Sequence, residues 1–228
     1  MTMNNLMLAR AGAKPAPVAV DQLVIAGWTG RDTAAVETHI RELEAIGVAR
    51  PKRTPIFYRV GASLLTTAGE IEVIGVDSSG EVEFVLFNLP DGLWVGLGSD
   101  HTDRKAETFG VTLSKQMCPK PVASALWRYT DIVPHWDRLV LRSFAHVGGT
   151  RRLYQEGSVS AMHHPEELMR LYGAGGAEMA PGCAMFGGTL AVRGAIESAD
   201  AFEIELEDPV RSRKLTHRYQ ITQLPVEG

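Results

Sequence analysis

Residues 80–100, GEVEFVLFNLPDGLWVGLGSD, carry the clearest structural signal of the chain. Two runs of β-branched and aromatic residues, Glu81 to Asn88 and Leu93 to Leu97, are separated by the turn-forming tripeptide Pro90-Asp91-Gly92. Strand-forming runs joined by such a turn are typical of a β-hairpin. The stretch therefore predicts two neighbouring strands, followed by a loop that contains Asp100.

This hairpin and its loop carry three carboxylates. Glu81 and Glu83 are two residues apart in one strand, so their side chains point to the same face. A third carboxylate from Asp100 would complete an all-oxygen set, which suits a hard cation such as Mg²⁺. A solvated strand face and a simple Asx turn explain the same residues without a metal. The residues alone leave both alternatives open.

The rest of the chain indicates many short strands and few helices. Asp32 is a suitable N-cap for a helix from Thr33 to Ile46, where apolar residues recur at helical spacing until Gly47. Short helices are predicted after Asp100 up to Thr108 and at Pro165 to Leu171. Further strands are predicted at Val18 to Ala26, Ile56 to Arg59, Glu70 to Val76, Arg138 to Ala145, Arg152 to Gln155, Cys183 to Thr189, Phe202 to Leu206 and Leu215 to Thr222. The turn signals Asp77-Ser78-Ser79-Gly80 and Gly148-Gly149 predict that the strands on either side of each form hairpins. Without βαβ alternation, this order of elements predicts a β-dominated α+β fold.

The amino-acid composition of the chain argues against some classes of function. The 228 residues are 45% hydrophobic and 22% charged, which is ordinary for a soluble globular protein. The formal net charge of −4 and the lack of like-charge blocks argue against nucleic acid and anionic membranes as partners. Two cysteines without metal-type spacing fit a reducing, cytoplasmic compartment, and no stretch has the length of a membrane span. We expect a flexible tail over residues 1–17 and a single domain over residues 18–228.

Six segments resemble, in chain order, motifs of the catalytic domain of the fumarylacetoacetate hydrolase superfamily. They are IFYRVGASLLTTAGEIEVI (56–74), GEVEFVLF (80–87), VGLGSDHTDR (95–104), VTLSKQ (111–116), RRLYQEGSVSAM (151–162) and GGTLAVRG (187–194). The resemblance covers the chain from about Gly30 onward. It implies a mixed β-sandwich or β-roll with a few short helices.

The resemblance implies roles for individual residues. Glu81, Glu83 and Asp100 would hold Mg²⁺ or Mn²⁺. Lys115 would lie beside the metal and stabilise a developing enolate, although a lone lysine is more often a surface residue. Arg104 would contact a substrate carboxylate, or only pair with Asp103 or Glu107.

A histidine and a glutamate on one predicted helix, and residues in two later segments, complete the implied site. ETHIRELE (37–44) resembles the family's H-x-x-E element, so His39, oriented by Glu42, would activate water, although a core histidine is the simpler explanation. Gln155 would contribute to substrate binding. Gly188 and Thr189 would offer backbone N–H groups and a hydroxyl to the substrate, or form a plain turn. Leu190 and Arg193 depart from the family pattern in this loop.

The implied activity is hydrolysis of a small anionic oxo-acid, by cleavage of a C–C bond in a β-diketo acid. Decarboxylation, isomerisation, hydration or amide (ureido-type) hydrolysis on the same metal site is the alternative, as is a non-catalytic ligand-binding dimer. A homodimer is expected from the resemblance.

Overall fold

The computed structural model of the protein describes residues 4–45, 50–176 and 178–227, without the side chains of His39, Glu42 and Leu43. Its helices are α1 (Thr33–Ala45), α2 (Arg104–Glu107), α3 (Val111–Met117), α4 (Tyr129–Ile132) and α5 (Pro165–Ala174), with 3-10 turns at Ala62–Leu64, Val133–Arg138 and Val159–Ala161. Its strands are β1 (Asn4–Arg10), β2 (Ala16–Val20), β3 (Gln22–Gly27), β4 (Ile56–Val60), β5 (Leu65–Thr66), β6 (Glu70–Ile74), β7 (Ser78–Ser79), β8 (Val82–Leu89), β9 (Gly92–Ser99), β10 (Thr102–Asp103), β11 (Lys120–Pro121), β12 (Ala125–Arg128), β13 (Val140–Val147), β14 (Thr150–Ser158), β15 (Cys183–Phe186), β16 (Ala201–Asp208) and β17 (Arg213–Leu224). No helix in these ranges is both long and apolar enough to cross a lipid bilayer.

Two sheets dominate the described chain. The larger has the strand order β2-β1-β12-β9-β8-β15-β3-β4, and the smaller has the order β14-β13-β16-β17-β6. Most neighbours are antiparallel, while β1–β12, β15–β3 and β17–β6 pair in parallel. Two short ladders, β7 with β10 and β5 with β11, connect the loops beside the large sheet. The molecule is therefore a mixed-sheet α+β fold dominated by strands, as predicted.

The hairpin β8–β9 lies in the middle of the large sheet and is buried on both faces. Phe84 and Leu86 belong to a core cluster that also contains Ile204 and Leu206 of the small sheet. Val85, on the opposite face, packs in a second cluster that includes residues of β1, β2, β3 and β4. Strands from both edges of the sheet share this second cluster, so the large sheet curls around it. This double burial explains why the hairpin sequence is almost continuously apolar.

The N-terminal residues differ from the prediction. Asn4–Arg10 is not part of a flexible tail but forms β1, because it pairs with β2 on one side and with β12 on the other. The predicted strand from Val18 to Ala26 is interrupted at Asp21 and contributes to two strands, β2 and β3. One partner of β1, the strand β12, is about half the chain away in sequence. The residues of β1 themselves therefore do not indicate this pairing.

Two further features of the fold differ from what the sequence predicted. Residues 77–80 do not join a hairpin, because β6 pairs with β17 in the small sheet while β8 belongs to the large one. These residues instead cross between the sheets, and Ser78–Ser79 pairs with Thr102–Asp103 on the way. Helix α3 was not predicted, since its seven residues are too few for a helical periodicity.

The other predicted elements are confirmed, with ends that shift by a few residues. They include the hairpins β8–β9 and β13–β14, the strands β4, β15, β16 and β17, and the helices α1, α2 and α5. The predicted end of α1 at Ile46 and Gly47 lies outside the described residues.

Candidate metal centre

The three predicted carboxylates meet at one end of the hairpin β8–β9. Glu81 directly precedes β8, Glu83 is the second residue of β8, and Asp100 directly follows β9. The strand register pairs Val82 with Ser99, and the Asp100 amide donates to the Glu81 carbonyl at 2.9 Å. One carboxylate oxygen from each of the three residues lies within 4.8 Å of the other two. The hairpin register therefore fixes the cluster.

Burial makes this cluster unusual. Glu83 is 2% exposed, Asp100 is completely buried, and only Glu81 retains partial access to solvent. Carboxylates that crowd together away from water need a compensating positive charge. The structure supplies part of it through three cationic side chains.

Lys115 and Lys120 approach Asp100 from different elements. Lys115 of α3 makes a short hydrogen bond to Asp100 Oδ2, and its Nζ lies 3.4 Å from Glu81 Oε2. Lys120 of β11 lies 3.0 Å from Asp100 Oδ1 and donates to the His101 carbonyl at 2.5 Å. Lys115 was predicted from the resemblance. Lys120 was not, although a single charge within the apolar run Cys118 to Ala123 is a signal that could have indicated a buried partner.

Arg104 is the third cation. Its Nη1 donates to Glu81 Oε1 at 3.0 Å and to Glu107 Oε2 at 3.2 Å, and its Nε donates to Ser79 Oγ at 2.7 Å. Asp103, the other candidate partner of Arg104, is 7% exposed and caps α2 by accepting from the Ala106 amide at 2.7 Å. The expected partner Glu107 is thus confirmed, while Asp103 orients the helix that begins at Arg104.

The pKa values of the carboxyl groups diverge. Burial, together with the charges of Asp100 and Glu81, raises the pKa of Glu83 well above its usual value. Burial opposes ionisation of Asp100 too, but Lys115 and Lys120 outweigh it and hold its pKa below the usual range. Neighbouring carboxylates that differ in this way indicate an excess of negative charge that two lysines do not fully balance.

The donor set fits a hard divalent cation. Asp100 Oδ1 is buried and makes no hydrogen bond to any described residue, although the Lys120 ammonium lies beside it. Three convergent carboxylates with an under-satisfied oxygen match the all-oxygen ligation of Mg²⁺ or Mn²⁺. Glu81, Glu83 and Asp100 are therefore the residues that would hold such an ion.

The loop after β15 supports the cluster from behind. The Gly188 amide donates to Glu83 Oε2 at 2.6 Å, and Thr189 Oγ1 donates to the Val82 carbonyl at 2.8 Å. Gln155 accepts from the Val82 amide at 3.0 Å and donates to Thr189 Oγ1 at 2.9 Å. These residues were predicted to bind substrate. Gln155 is completely buried and the Gly188 amide is bonded to Glu83, so both hold β8 in position, and their roles in substrate binding stay predictions.

Only glycine fits at the two positions before Thr189. A Cβ on Gly187 would lie 2.1 Å from the ring of Phe84. At Gly188, where φ is +98°, it would lie 1.8 Å from Thr29 Oγ1. The glycines let this loop contact β8 and the loop after β3 at the same time, which places the Gly188 amide on Glu83.

A second buried network lies next to Asp100. Both ring nitrogens of His101 contact hydroxyl groups, Nδ1 that of Tyr219 at 3.2 Å and Nε2 that of Ser78 at 2.9 Å. Burial and the positive charges of Lys120 and Arg104 lower the pKa of His101 to about 3. His101 is therefore neutral at physiological pH. No role was predicted for His101, because its partners Ser78 and Tyr219 come from distant strands.

Tyr58 and Trp28 border the cluster on the side of β4 and the loop after β3. Burial raises the pKa of Tyr58, while a hydrogen bond with Trp28 and the charge of Lys115 act in the opposite direction. Trp28 has a φ of +58°, a left-handed conformation that costs energy for any residue with a large side chain. Such strain is typical of functional loops, and here it lies beside the carboxylate cluster.

Helix α1 carries the predicted pair His39 and Glu42, whose side chains lie outside the described residues. The described part of α1 packs on the loop that contains Trp28. A cavity of about 90 Å³ between them is lined by residues that include Val36 of the helix and His163. The helix is therefore next to the loop that borders the cluster, and the catalytic roles of His39 and Glu42 stay predictions.

Comparison with solved structures identifies the fold. The chain is similar to a 2-hydroxyhepta-2,4-diene-1,7-dioate isomerase from Mycobacterium marinum (TM-score 0.65, 18% identity, 92% of this chain and 78% of that chain). It is equally similar to a protein from Burkholderia cenocepacia assigned provisionally as a fumarylpyruvate hydrolase (TM-score 0.65, 18% identity, 99% and 97%). It also resembles yeast ynq8, a fumarylacetoacetate hydrolase family protein (TM-score 0.62, 18% identity, 91% and 95%). The chain has the fumarylacetoacetate hydrolase fold, which confirms the resemblance found in the sequence.

Comparison of the sequence with models of protein families assigns the chain to one family. A family model described as "Protein of unknown function (DUF2848)" matches residues 26–219, and the chain belongs to this family. No curated protein sequence matches it.

Proposed function

We propose that this protein is a divalent-metal-dependent enzyme that hydrolyses a C–C bond in a small anionic oxo-acid of the β-diketo class. The observation that supports this proposal most directly is the buried cluster of Glu81, Glu83 and Asp100, with cationic side chains on its carboxylates. A simple surface cluster would not bury Asp100 completely or require two lysines to balance it.

The mechanism assigns a task to each group. A bound Mg²⁺ or Mn²⁺ would act as a Lewis acid toward the oxygens of a keto-carboxylate. Arg104 and Lys115 would attract the anionic substrate, and Lys115 would stabilise the negative charge that develops on the enolate. His39, oriented by Glu42, would take a proton from a water molecule as the water oxygen attacks the second carbonyl. The C–C bond would then break to release an enolate, and this proton would be returned to the enolate carbon. Gly188, Thr189 and Gln155 would keep Glu83 in position.

A Glu83→Gln variant tests the role of the cluster. We expect it to lose activity toward a panel of acylpyruvates by more than the roughly 100-fold that the loss of an outer-shell partner costs. Glu72→Gln is a matched control, because Glu72 is an exposed glutamate of β6, which belongs to the small sheet and contributes no carboxylate to the cluster. Isothermal titration with Mn²⁺ should show weaker binding for Glu83→Gln only. Full activity of Glu83→Gln with bound metal would refute the proposal.

A second reaction class is supported by the structural relatives. Besides the isomerase from Mycobacterium marinum, they include a 2-keto-3-deoxyarabinonate dehydratase (TM-score 0.66, 16% identity). Isomerisation, dehydration or decarboxylation of an oxo-acid needs the carboxylate cluster but not a water-activating histidine. A His39→Ala variant that loses hydrolysis and keeps enol–keto exchange of oxaloacetate supports hydrolysis as the native reaction. Unchanged turnover of the native substrate in His39→Ala would favour the second class.

Ligand binding without turnover is the remaining alternative. A thermal shift with Mn²⁺ and oxalate, a planar mimic of an enolate, distinguishes it, because specific binding raises the melting temperature by mass action. A shift without turnover of any oxo-acid in the panel would favour a ligand-binding protein. Size-exclusion chromatography with light scattering tests the homodimer that we also propose.

A further inference from the structure

The ammonium group of Lys115 lies between two of the three carboxylates that would hold a metal ion. We propose that Lys115 and the divalent ion compete for the same carboxylate oxygens, so that metal binding displaces the ammonium group and frees it for the anionic substrate. Lys115 would then act as the internal counter-ion of the metal-free site. This inference rests on the proposed function and adds an order of binding to it.

The contacts of the carboxylate oxygens carry the argument. Both oxygens of Asp100 have a cationic neighbour, with Lys120 at 3.0 Å from Oδ1 and Lys115 hydrogen-bonded to Oδ2. Both oxygens of Glu81 do too, with Arg104 at 3.0 Å from Oε1 and Lys115 at 3.4 Å from Oε2. A metal ion that coordinates Asp100 and Glu81 together would therefore bind oxygens that already face a cation, and charge repulsion would move at least one of these cations away. Lys115 is the one that contacts both residues.

The other two cations are held more firmly. Lys120 is completely buried and also donates to the His101 carbonyl. Arg104 is fixed by Ser79 and Glu107 as well as by Glu81. The described hydrogen bonds of the Lys115 ammonium, by contrast, go to the two carboxylates alone. Displacing Lys115 thus breaks no contact outside the cluster.

Lys115 is itself only 6% exposed, but it belongs to a helix at the surface of the protein. Two other side chains of this seven-residue helix, Leu113 and Met117, are 55% and 38% exposed, so α3 lies at the surface. A lysine side chain has four flexible methylene groups and can turn its ammonium group without a change in the helix. Like charges repel, so an ammonium group and a dication do not share the same oxygens.

Metal binding would therefore prepare the site for substrate. As long as Asp100 and Glu81 neutralise its ammonium group, Lys115 is unavailable to an anion. Once the dication has taken over these oxygens, the ammonium group is free near the metal, where a carboxylate or enolate oxygen would bind. The predicted order is metal first and oxo-acid second.

Calorimetric titration of Mn²⁺ into the protein without substrate tests this competition. We expect Lys115→Met to bind Mn²⁺ at least about 10-fold more tightly than the unaltered protein, which corresponds to about 1.4 kcal/mol. Lys115→Gln should do the same if the methionine variant folds poorly. Lys105→Met is the matched control, because Lys105 is an exposed lysine of the neighbouring helix α2, and it should leave the affinity unchanged.

A labelling experiment on the unaltered protein needs no variant that might fail to fold. Lys115 should be acetylated by acetic anhydride several-fold faster with saturating Mn²⁺ than without it, while Lys105 should react equally fast in both, as measured by peptide mass spectrometry. Equal labelling of Lys115 in both states would overturn the inference.

The possible failures are distinguishable. If the unaltered protein binds Mn²⁺ and both Lys115 variants bind it no more tightly, the competition is refuted and the metal-dependent function stands. If neither the unaltered protein nor the variants bind Mn²⁺ or Mg²⁺, the proposed function and this inference are both refuted. Tight binding by Lys115→Met alone would support the competition and refute metal-dependent catalysis by the natural protein.

Discussion

Lys120→Met is expected to destabilise the fold strongly, even though Lys120 was assigned no role from the sequence. The Lys120 ammonium is completely buried, lies 3.0 Å from Asp100 Oδ1 and donates to the His101 carbonyl at 2.5 Å. Methionine has a similar length and no charge, so the change removes both interactions and leaves little empty volume. The substitution isolates the contribution of one buried cation.

The magnitude follows from the groups that lose a partner. Breaking a buried ion pair by removing one partner costs about 3–5 kcal/mol, and an unsatisfied buried carbonyl costs about 1–3 kcal/mol. Lys115 stays on the other oxygen of Asp100, so this carboxylate keeps one counter-charge. The apolar methionine side chain also gains from burial. We therefore expect a net loss of about 3 kcal/mol in the free energy of unfolding.

Guanidinium denaturation of the metal-free protein measures this loss. For a chain of this length it corresponds to a decrease of about 6–12 °C in melting temperature. Lys105→Met, on the exposed side of α2, should change stability by less than about 0.5 kcal/mol. A double-mutant cycle with Asp100→Asn should give a coupling of about 1–3 kcal/mol. A loss below about 1 kcal/mol, or no coupling, would refute the view that Lys120 balances Asp100.

Two other predictions concern the loop behind the cluster and the cysteines. Gly188→Ala should cost about 1–3 kcal/mol from the positive φ alone, with an added clash against Thr29, and it should also weaken Mn²⁺ binding, as measured by denaturation and titration. Gly173→Ala in α5, where a Cβ meets no atom within 4 Å, should instead stabilise by about 0.5–1 kcal/mol, and equal losses in both variants would contradict the prediction. Burial raises the pKa of Cys118 to about 11 and that of Cys183 to about 12, so both stay protonated at pH 8. Iodoacetamide should modify neither in the native protein within an hour and both in guanidinium, and rapid native labelling of either would contradict their burial.

The sequence predicted those parts of the site that depend on local pattern. Two runs of strand-forming residues and a Pro-Asp-Gly turn defined the hairpin β8–β9, and the hairpin register then places Glu81, Glu83 and Asp100 together. Because strand pairing across a short turn is local, this part of the geometry follows from about twenty residues.

The remainder depends on contacts between distant segments. The strand β1 forms because β2 and β12 flank it, and nothing within Asn4–Arg10 indicates those partners. Gln155 and Gly188 were predicted to bind substrate, but their contacts with Val82 and Glu83 form only because β14 and the loop after β15 pack against β8. Lys120 and His101 were missed for the same reason. Sequence patterns thus indicated most of the charged residues of the site, but not the contacts that hold these residues in position.

The charges of the cluster explain why a metal ion would be needed for substrate binding as well as for chemistry. Around Lys115, Lys120 and Arg104, the structure places four carboxylates, those of Glu81, Glu83, Asp100 and Glu107. With all of these groups ionised, the site carries one excess negative charge and repels an anionic oxo-acid. Burial, together with the negative charges of Asp100 and Glu81, raises the pKa of Glu83. A bound dication changes the net charge of the site to one excess positive charge. This charge attracts an anion at short range, because the site is buried and water screens it little. Affinity for oxalate should therefore depend on the metal even in a variant that lacks the proposed base at His39.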